Sequence, residues 1–290
     1  RLLFGDLVIA TDSGKEMVRQ ISAAANDPVR GRKLRLAALR KVMLEHTYGH
    51  RLAYAATRIG LPAQAPVLPR IAVLAHAANA SDLDLLLGHY RCQRHADKTL
   101  IVVLQTESPC LELEPGITIL SEDQARGQTI GLLASGNDLV AGMVAQDYYG
   151  PNYLLDLALA TRYSDADAFG KAAHVALKAP DGALELLQED AAYRPANLLS
   201  ARSTAVRLAR VAENDAVSWH ESLPYLELEI GNGLALDEFN YCRNGAIPEC
   251  RAAVTVRVDD LDGLHCGITF HTLLSRAAHI PPEILARDPK

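Results

Sequence analysis

The chain is predicted to fold as an α/β protein, a mixed, mostly parallel sheet flanked by helices, with a helical N-terminal extension. Three observations carry this. Past residue 70, short apolar runs alternate with stretches of helical apolar spacing, the pattern of repeated strand-helix-strand units. The stretch Gly60-Leu61-Pro62-Ala63-Gln64-Ala65-Pro66-Val67-Leu68-Pro69 breaks both periodicities and reads as a linker, giving domains at 1–66 and 67–290. The apolar run Asp138 to Ala145 leads to Asp147, a carboxylate at the carboxyl end of a buried strand, where an open α/β sheet meets its ligand.

From the N-terminus, Phe4 to Ala10 is strand-like in its apolar content. Asp12 or Ser13 can then cap a helix carrying Met17, Val18 and Ile21. Asn26-Asp27-Pro28 opens a second helix, with Leu34, Leu36, Leu39, Val42 and Met43 set among Arg30, Arg32, Lys33, Arg35, Arg40 and Lys41. Its cations are expected to form a solvated face on a packed helix. His46 and His50 stand four apart, but no Glu follows His46 as in a zincin, so the pair is assigned to packing.

After the linker, Arg70 to His76 reads as a buried strand, and Ser81-Asp82 caps a helix through Tyr90-Arg91. Lys98 to Gln105 is a second strand, so the three elements form a right-handed parallel unit. Ile117 to Ser121 is a third strand, followed by a helix opened by Glu122-Asp123-Gln124. The strand before Asp147 comes next, and Asn152 to Arg162 has helical spacing.

Composition excludes several classes. The 290 residues, 49% hydrophobic and 22% charged, suffice for one large domain or one domain and a smaller piece. A net charge of −6 does not suit a nucleic-acid backbone binder, which needs a basic face to displace counterions. No apolar run approaches the roughly 20 residues of a membrane span. Cys92, Cys110, Cys242, Cys250 and Cys266 are odd in number and contain no Cys-x-x-Cys pair, against a zinc ribbon or a disulfide framework. A reducing, cytoplasmic setting fits them. No Gly-x-Gly-x-x-Gly follows the first strand, and there is no phosphate loop, Gly-x-Ser-x-Gly elbow or His-Glu-x-x-His helix. Arg1 opens directly into Leu2-Leu3-Phe4 without an initiator methionine, so the sequence reads as part of a longer multidomain chain.

The segment Asp147-Tyr148-Tyr149-Gly150-Pro151-Asn152-Tyr153-Leu154, with Gly170-Lys171 beyond it, resembles the family 2 glycosyltransferases of the GT-A fold. Further matches are His89-Tyr90-Arg91-Cys92-Gln93 and the Asp-x-Phe-Asn-Tyr phrase at Asp237, Phe239, Asn240 and Tyr241. The resemblance covers residues 70 to 275. Residues 42 to 52, with their Glu45-His46-Thr47-Tyr48 phrase, look like the C-terminal end of a CgeB-like GT-B glycosyltransferase.

The GT-A resemblance implies transfer of a sugar from a nucleotide-diphosphate donor to a hydroxyl of a glycan or lipid-linked acceptor, by inversion, in bacterial surface polysaccharide synthesis. It also allows association with the inner membrane face. In the family the strand ends in a run of aspartates that holds a divalent cation, manganese or magnesium. Here that run reads Met143-Val144-Ala145-Gln146-Asp147, with only the last acid kept. The implied metal ligands are Asp147 and a late histidine, His265, a pairing chemically acceptable for manganese.

Asn79 falls in the base-and-ribose loop. Arg202 is a candidate diphosphate or acceptor contact, since a guanidinium presents a planar fork to phosphate. Arg202 or Lys171 can also stand in for the cation in a metal-independent transferase. Glu221 is the nearest carboxylate to the family's base, with His220 as the alternative and Trp219 as a sugar platform or a buried anchor. The other reading is a degenerate GT-A module that binds nucleotide-sugar or glycan without turnover and scaffolds a partner domain.

Overall fold

The computed structural model describes residues 2–105, 114–178 and 181–277; Cys110 lies outside them. It divides into two compact units, Arg1–Val67 with Asp260–Lys290, and Leu68–Asp259. The sequence places a domain boundary at 66/67; in the structure the described residues after Asp259 group with the first unit.

The first unit is helical. Helix α1 (Gly14–Asn26) starts where the Ser13 side chain accepts the Glu16 N–H. Helix α2 (Pro28–Glu45) is capped by Asp27, with Pro28 at the position where a missing N–H costs nothing. Helix α3 (Tyr48–Arg58) follows. Phe4 to Ala10 is not a strand: Gly5–Leu7 forms a single 3-10 turn. The basic face of α2 is also not simply solvated, because Lys33, Arg40 and Lys41 are buried. Arg40 pairs with Asp260 at 2.6 Å, while Lys41 pairs with Glu45 and donates to the Ile268 carbonyl at 2.8 Å. For Arg40 and Lys41 the partners include Asp260 and Ile268 of the C-terminal segment, which spacing along α2 cannot reveal. His46 packs between the rings of Phe4 and Phe270, and His50 bonds the Thr47 hydroxyl at 2.7 Å.

The second unit has the predicted α/β architecture, a large, mostly parallel sheet flanked by helices. Its elements run β1 (Ile71–Ala77), α4 (Ala80–Arg91), β2 (Lys98–Leu104), β3 (Ile117–Ser121), α5 (Glu122–Ala125), α6 (Ile130–Leu133) and β4 (Leu139–Val144). Then come β5 (Tyr148–Tyr149), α7 (Tyr153–Ala160), β6 (Ala168–Gly170), β7 (His174–Lys178), β8 (Ala183–Leu187), β9 (Pro195–Ser200) and β10 (Thr204–Arg207). The unit closes with α8 (Leu208–Val211), α9 (Ala216–Ser222), β11 (Glu227–Ala235), β12 (Tyr241–Arg243) and α10 (Arg251–Val258). Helix α11 (Phe270–Ala277) belongs to the first unit.

The main sheet has the order β3-β2-β1-β4-β10-β6-β11-β9. Strands β3, β2, β1 and β4 are parallel, and β10 enters antiparallel between β4 and β6. Burial on both faces explains the near-continuous apolar runs of β1 and β4. Ile71, Val73 and Ala75 face a core with α4 and α7, while Ala72 and Leu74 face a second core containing Trp219 and Leu223. Each fully buried leucine or isoleucine in these layers contributes about 1.5–3 kcal/mol. Chain order reverses between β1 and β4, so the crevice outside their carboxyl ends is where such a sheet holds a ligand. A second sheet, β5-β12-β7-β8, packs Val175, Leu177 and Cys242 against Val254 and Val258 of α10.

Candidate functional site

At the carboxyl end of β4 the chain turns so that Gln146 is exposed and Asp147 is 0% exposed. The Asp147 carboxylate receives Arg202 Nε and Nη2 at 2.7 and 2.5 Å, the Tyr241 hydroxyl at 2.7 Å, and the Asn244 N–H at 2.7 Å. This is a bidentate, charge-assisted arrangement with further donors on the remaining lone pairs. Burial opposes the Arg202 charge, and the hydrogen bonds and charge of Asp147 outweigh it, so the guanidinium pKa is raised. Tyr149 and Tyr241 are held above their ordinary range by burial and then by the Asp147 charge, and both remain neutral hydroxyls. Tyr149 donates to the Arg202 carbonyl at 2.8 Å and accepts the Val144 N–H at 3.0 Å.

Asp147 is therefore not a metal ligand in this arrangement, and Arg202 is not a phosphate contact. Each is occupied by the other. The implied cation does not fit the donors present. A hard cation wants several oxygen ligands, and among the described residues no group of three or more His, Cys, Asp or Glu is placed to hold a metal. His265, the second implied ligand, belongs to the helical unit, where its N–H bonds Asp6 at 3.1 Å and its carbonyl accepts the Asp6 N–H at 2.7 Å.

Lys171 is likewise withdrawn from any ligand. It is 1% exposed, with Nζ 2.9 Å from Asp237 and 3.5 Å from Asp156. Asp237 also accepts the Phe239 N–H at 2.9 Å, so it bonds a turn. The phrases that carried the family resemblance interlock here. Strands β5 and β12 pair Tyr149 with Tyr241 and Tyr148 with Cys242, while Asn240, at φ +60°, accepts the Asn152 N–H on its side chain and the Gly150 N–H on its carbonyl. These residues build the framework of the crevice rather than its lining.

Asn79 caps α4, its side chain accepting the Asp82 N–H at 3.0 Å, whereas the sequence reading placed the cap at Ser81. That bond gives Asn79 a structural task at an exposed position beside the end of β1. His220 is fully buried on α9: Nδ1 donates to the Ala216 carbonyl at 2.5 Å, and burial pushes its pKa down to about 4. It is neutral near pH 7 and closed off from a substrate, so it does not act as the expected base. Trp219, 4% exposed, is a core anchor and not a sugar platform. Glu221 is the exposed carboxylate of this helix.

What the crevice does offer is a cavity of about 460 Å³ between the first turns of α4, the end of β4, β7 and the loop after β12. Asp82, Gln146 and Asn244 supply its polar groups, and Leu85, Leu177 and Ile247 supply apolar wall. The wall after β12 hangs from the end of β4. Asn244, at φ +58°, donates to Asp147, and the Ala246 N–H donates to the Gln146 carbonyl at 3.1 Å. Sequence reasoning missed these polar residues. Gln146 was visible as the position where an acid is replaced, but Asn244 carries no local signal.

No protein-family model matches the chain, and no curated protein matches it. Among solved structures it is similar to S. aureus TarS 1-349 at 13% identity and a TM-score of 0.43, over 67% of this chain and 66% of that one. It is also similar to TarS 1-349 in complex with UDP-GlcNAc, at 11% identity and a TM-score of 0.39, over 67% of each chain. A longer TarS structure aligns at 13% identity and a TM-score of 0.41, over 67% of this chain and 40% of that one. The chain thus spans just under two thirds of the first of these and 40% of the longer protein. Among the described residues no helix is long and apolar enough to cross a membrane.

Proposed function

We propose that this chain is a module of glycosyltransferase GT-A plan that binds a nucleotide-sugar or glycan at the carboxyl ends of β1 and β4, without a divalent cation and without transferring the sugar. The observation that carries this reading is the closure of Asp147. A carboxylate that accepts four hydrogen bonds and is 0% exposed has no lone pair to give a metal, and the neighbouring position that faces out is the neutral Gln146. The cavity beside it keeps ligand-sized space at the switch point of the sheet. Binding without turnover suits a scaffold for a partner domain.

A transferase acting in bacterial surface polysaccharide synthesis is the competing reading, and one observation favours it: Glu221 remains an exposed carboxylate on α9. Calorimetric titration of UDP, GDP, UDP-GlcNAc and oligosaccharides, with manganese and with EDTA, tests the proposal together with a donor-hydrolysis assay. Binding that is indifferent to manganese, with no release of UDP above background, is expected. Manganese-dependent release of UDP that disappears in Glu221→Gln overturns the proposal in favour of the transferase.

A further inference from the structure

The cavity beside β4 has an unusual polar inventory for a site in a nucleotide-sugar fold. Among the described residues that line it, only Asp82 is ionisable, and it is an acid. One carboxylate oxygen of Asp82 is fixed by the Ala78 N–H at 3.1 Å and the Asn79 amide at 3.4 Å, so the charge cannot swing away. The cations that the sequence offered for a diphosphate are consumed elsewhere, Arg202 by Asp147 and Lys171 by Asp237 and Asp156. A nucleoside diphosphate placed here would meet a like charge and, among the described lining residues, no counter-charge.

The same lining suits a different ligand. Gln146 and Asn244 each offer a carboxamide that both donates and accepts, and the Asp82 carboxylate accepts from hydroxyls. Leu85, Leu177, Ile247 and Pro248 offer apolar surface of the kind that covers the C–H face of a sugar ring. We infer that this cavity selects an uncharged saccharide over a nucleoside diphosphate, with Asp82, Gln146 and Asn244 reading its hydroxyls. This rests on the ligand-binding reading above and narrows it to the glycan. The Asp147–Arg202 pair takes part as a positioning device, because the Asn244 backbone that shapes the wall is bonded to Asp147.

The test uses the full chain at low ionic strength in EDTA, titrated by calorimetry and saturation-transfer NMR. The probes are a panel of uncharged di- and trisaccharides (chitobiose, chitotriose, maltotriose, mannotriose), with UDP and UDP-GlcNAc beside them. At least one oligosaccharide is expected to bind ten-fold or more tightly than either nucleotide. Its affinity should fall at least ten-fold in Asp82→Asn and several-fold in Gln146→Ala, the latter at an exposed position where folding is not at stake. Trp219 fluorescence reports that each variant is folded. UDP or UDP-GlcNAc binding as tightly as every oligosaccharide overturns this inference while leaving the ligand-binding reading standing. Absence of binding by every probe overturns both.

Discussion

Replacing Asp147 by alanine separates a structural acid from a metal-holding one by its effect on stability. The substitution leaves Arg202, with a side chain 6% exposed, as a buried guanidinium stripped of two hydrogen bonds and its counter-charge. It also strands the Tyr241 hydroxyl and the Asn244 N–H. Breaking a buried pair from one side costs about 3–5 kcal/mol, because the remaining charge is uncompensated. With a urea m-value of about 2 kcal/mol/M, the unfolding midpoint should fall by about 2 M. Trp219 is the single tryptophan of the chain and lies in the second unit, so its fluorescence follows that unit alone. The double variant Asp147→Ala/Arg202→Met should recover much of the loss, since it removes both charges together. A midpoint for Asp147→Ala within about 0.5 M of the parent protein would refute the buried pairing and return Asp147 to the candidates for ligand binding.

Three further outcomes follow from the same structure. Lys171→Met leaves Asp237 and Asp156 as buried acids without their cation, and urea unfolding should show a loss of about 3–5 kcal/mol. Gly142→Ala places a Cβ 2.4 Å from the Ala201 carbonyl oxygen, so a shift of β4 or of the turn before β10 is forced, and calorimetric melting should register about 1–3 kcal/mol of destabilisation. Burial pushes His89 and His220 down to about 4, while an unfolded histidine titrates near about 6.5. Above the upper value neither state holds the proton; between the two the unfolded chain takes up protons that the folded chain refuses. Stability should therefore fall as pH drops from about 6.5 to about 4, by about 1.4 kcal/mol per pH unit per histidine. Urea midpoints across that range should fall less steeply in His220→Leu.

Strands β1 to β4 and their order of appearance were legible because β1, β2 and β4 are buried on both faces and declare themselves as unbroken apolar runs, whereas the short strands after β4 were not. The caps of α1 and α2 were legible too, since Ser13 and Asp27 act within three residues of themselves. The environment of Asp147 was not. Its partners lie 55, 94 and 97 residues away, and whether a carboxylate meets a guanidinium or a metal depends on such distant neighbours. The Asn79 cap, three residues before Asp82, is by contrast a local pattern. The family phrases around Tyr149 and Tyr241 marked a real junction, but one of packing. Phe4 to Ala10 was misread because apolar content without a pairing strand does not make a sheet.

The late arrival of β10 has a consequence during synthesis. A nascent chain that has made β1 to β4 presents β4 as an open edge, and its Asp147 lacks Arg202 until 55 more residues emerge. Open edges invite pairing with other chains, and long-range closures of this kind are slow. A product truncated before residue 204 should therefore self-associate from the ribosome onward, whereas completion of β10 stitches the two halves of the sheet shut and neutralises the waiting acid in one step.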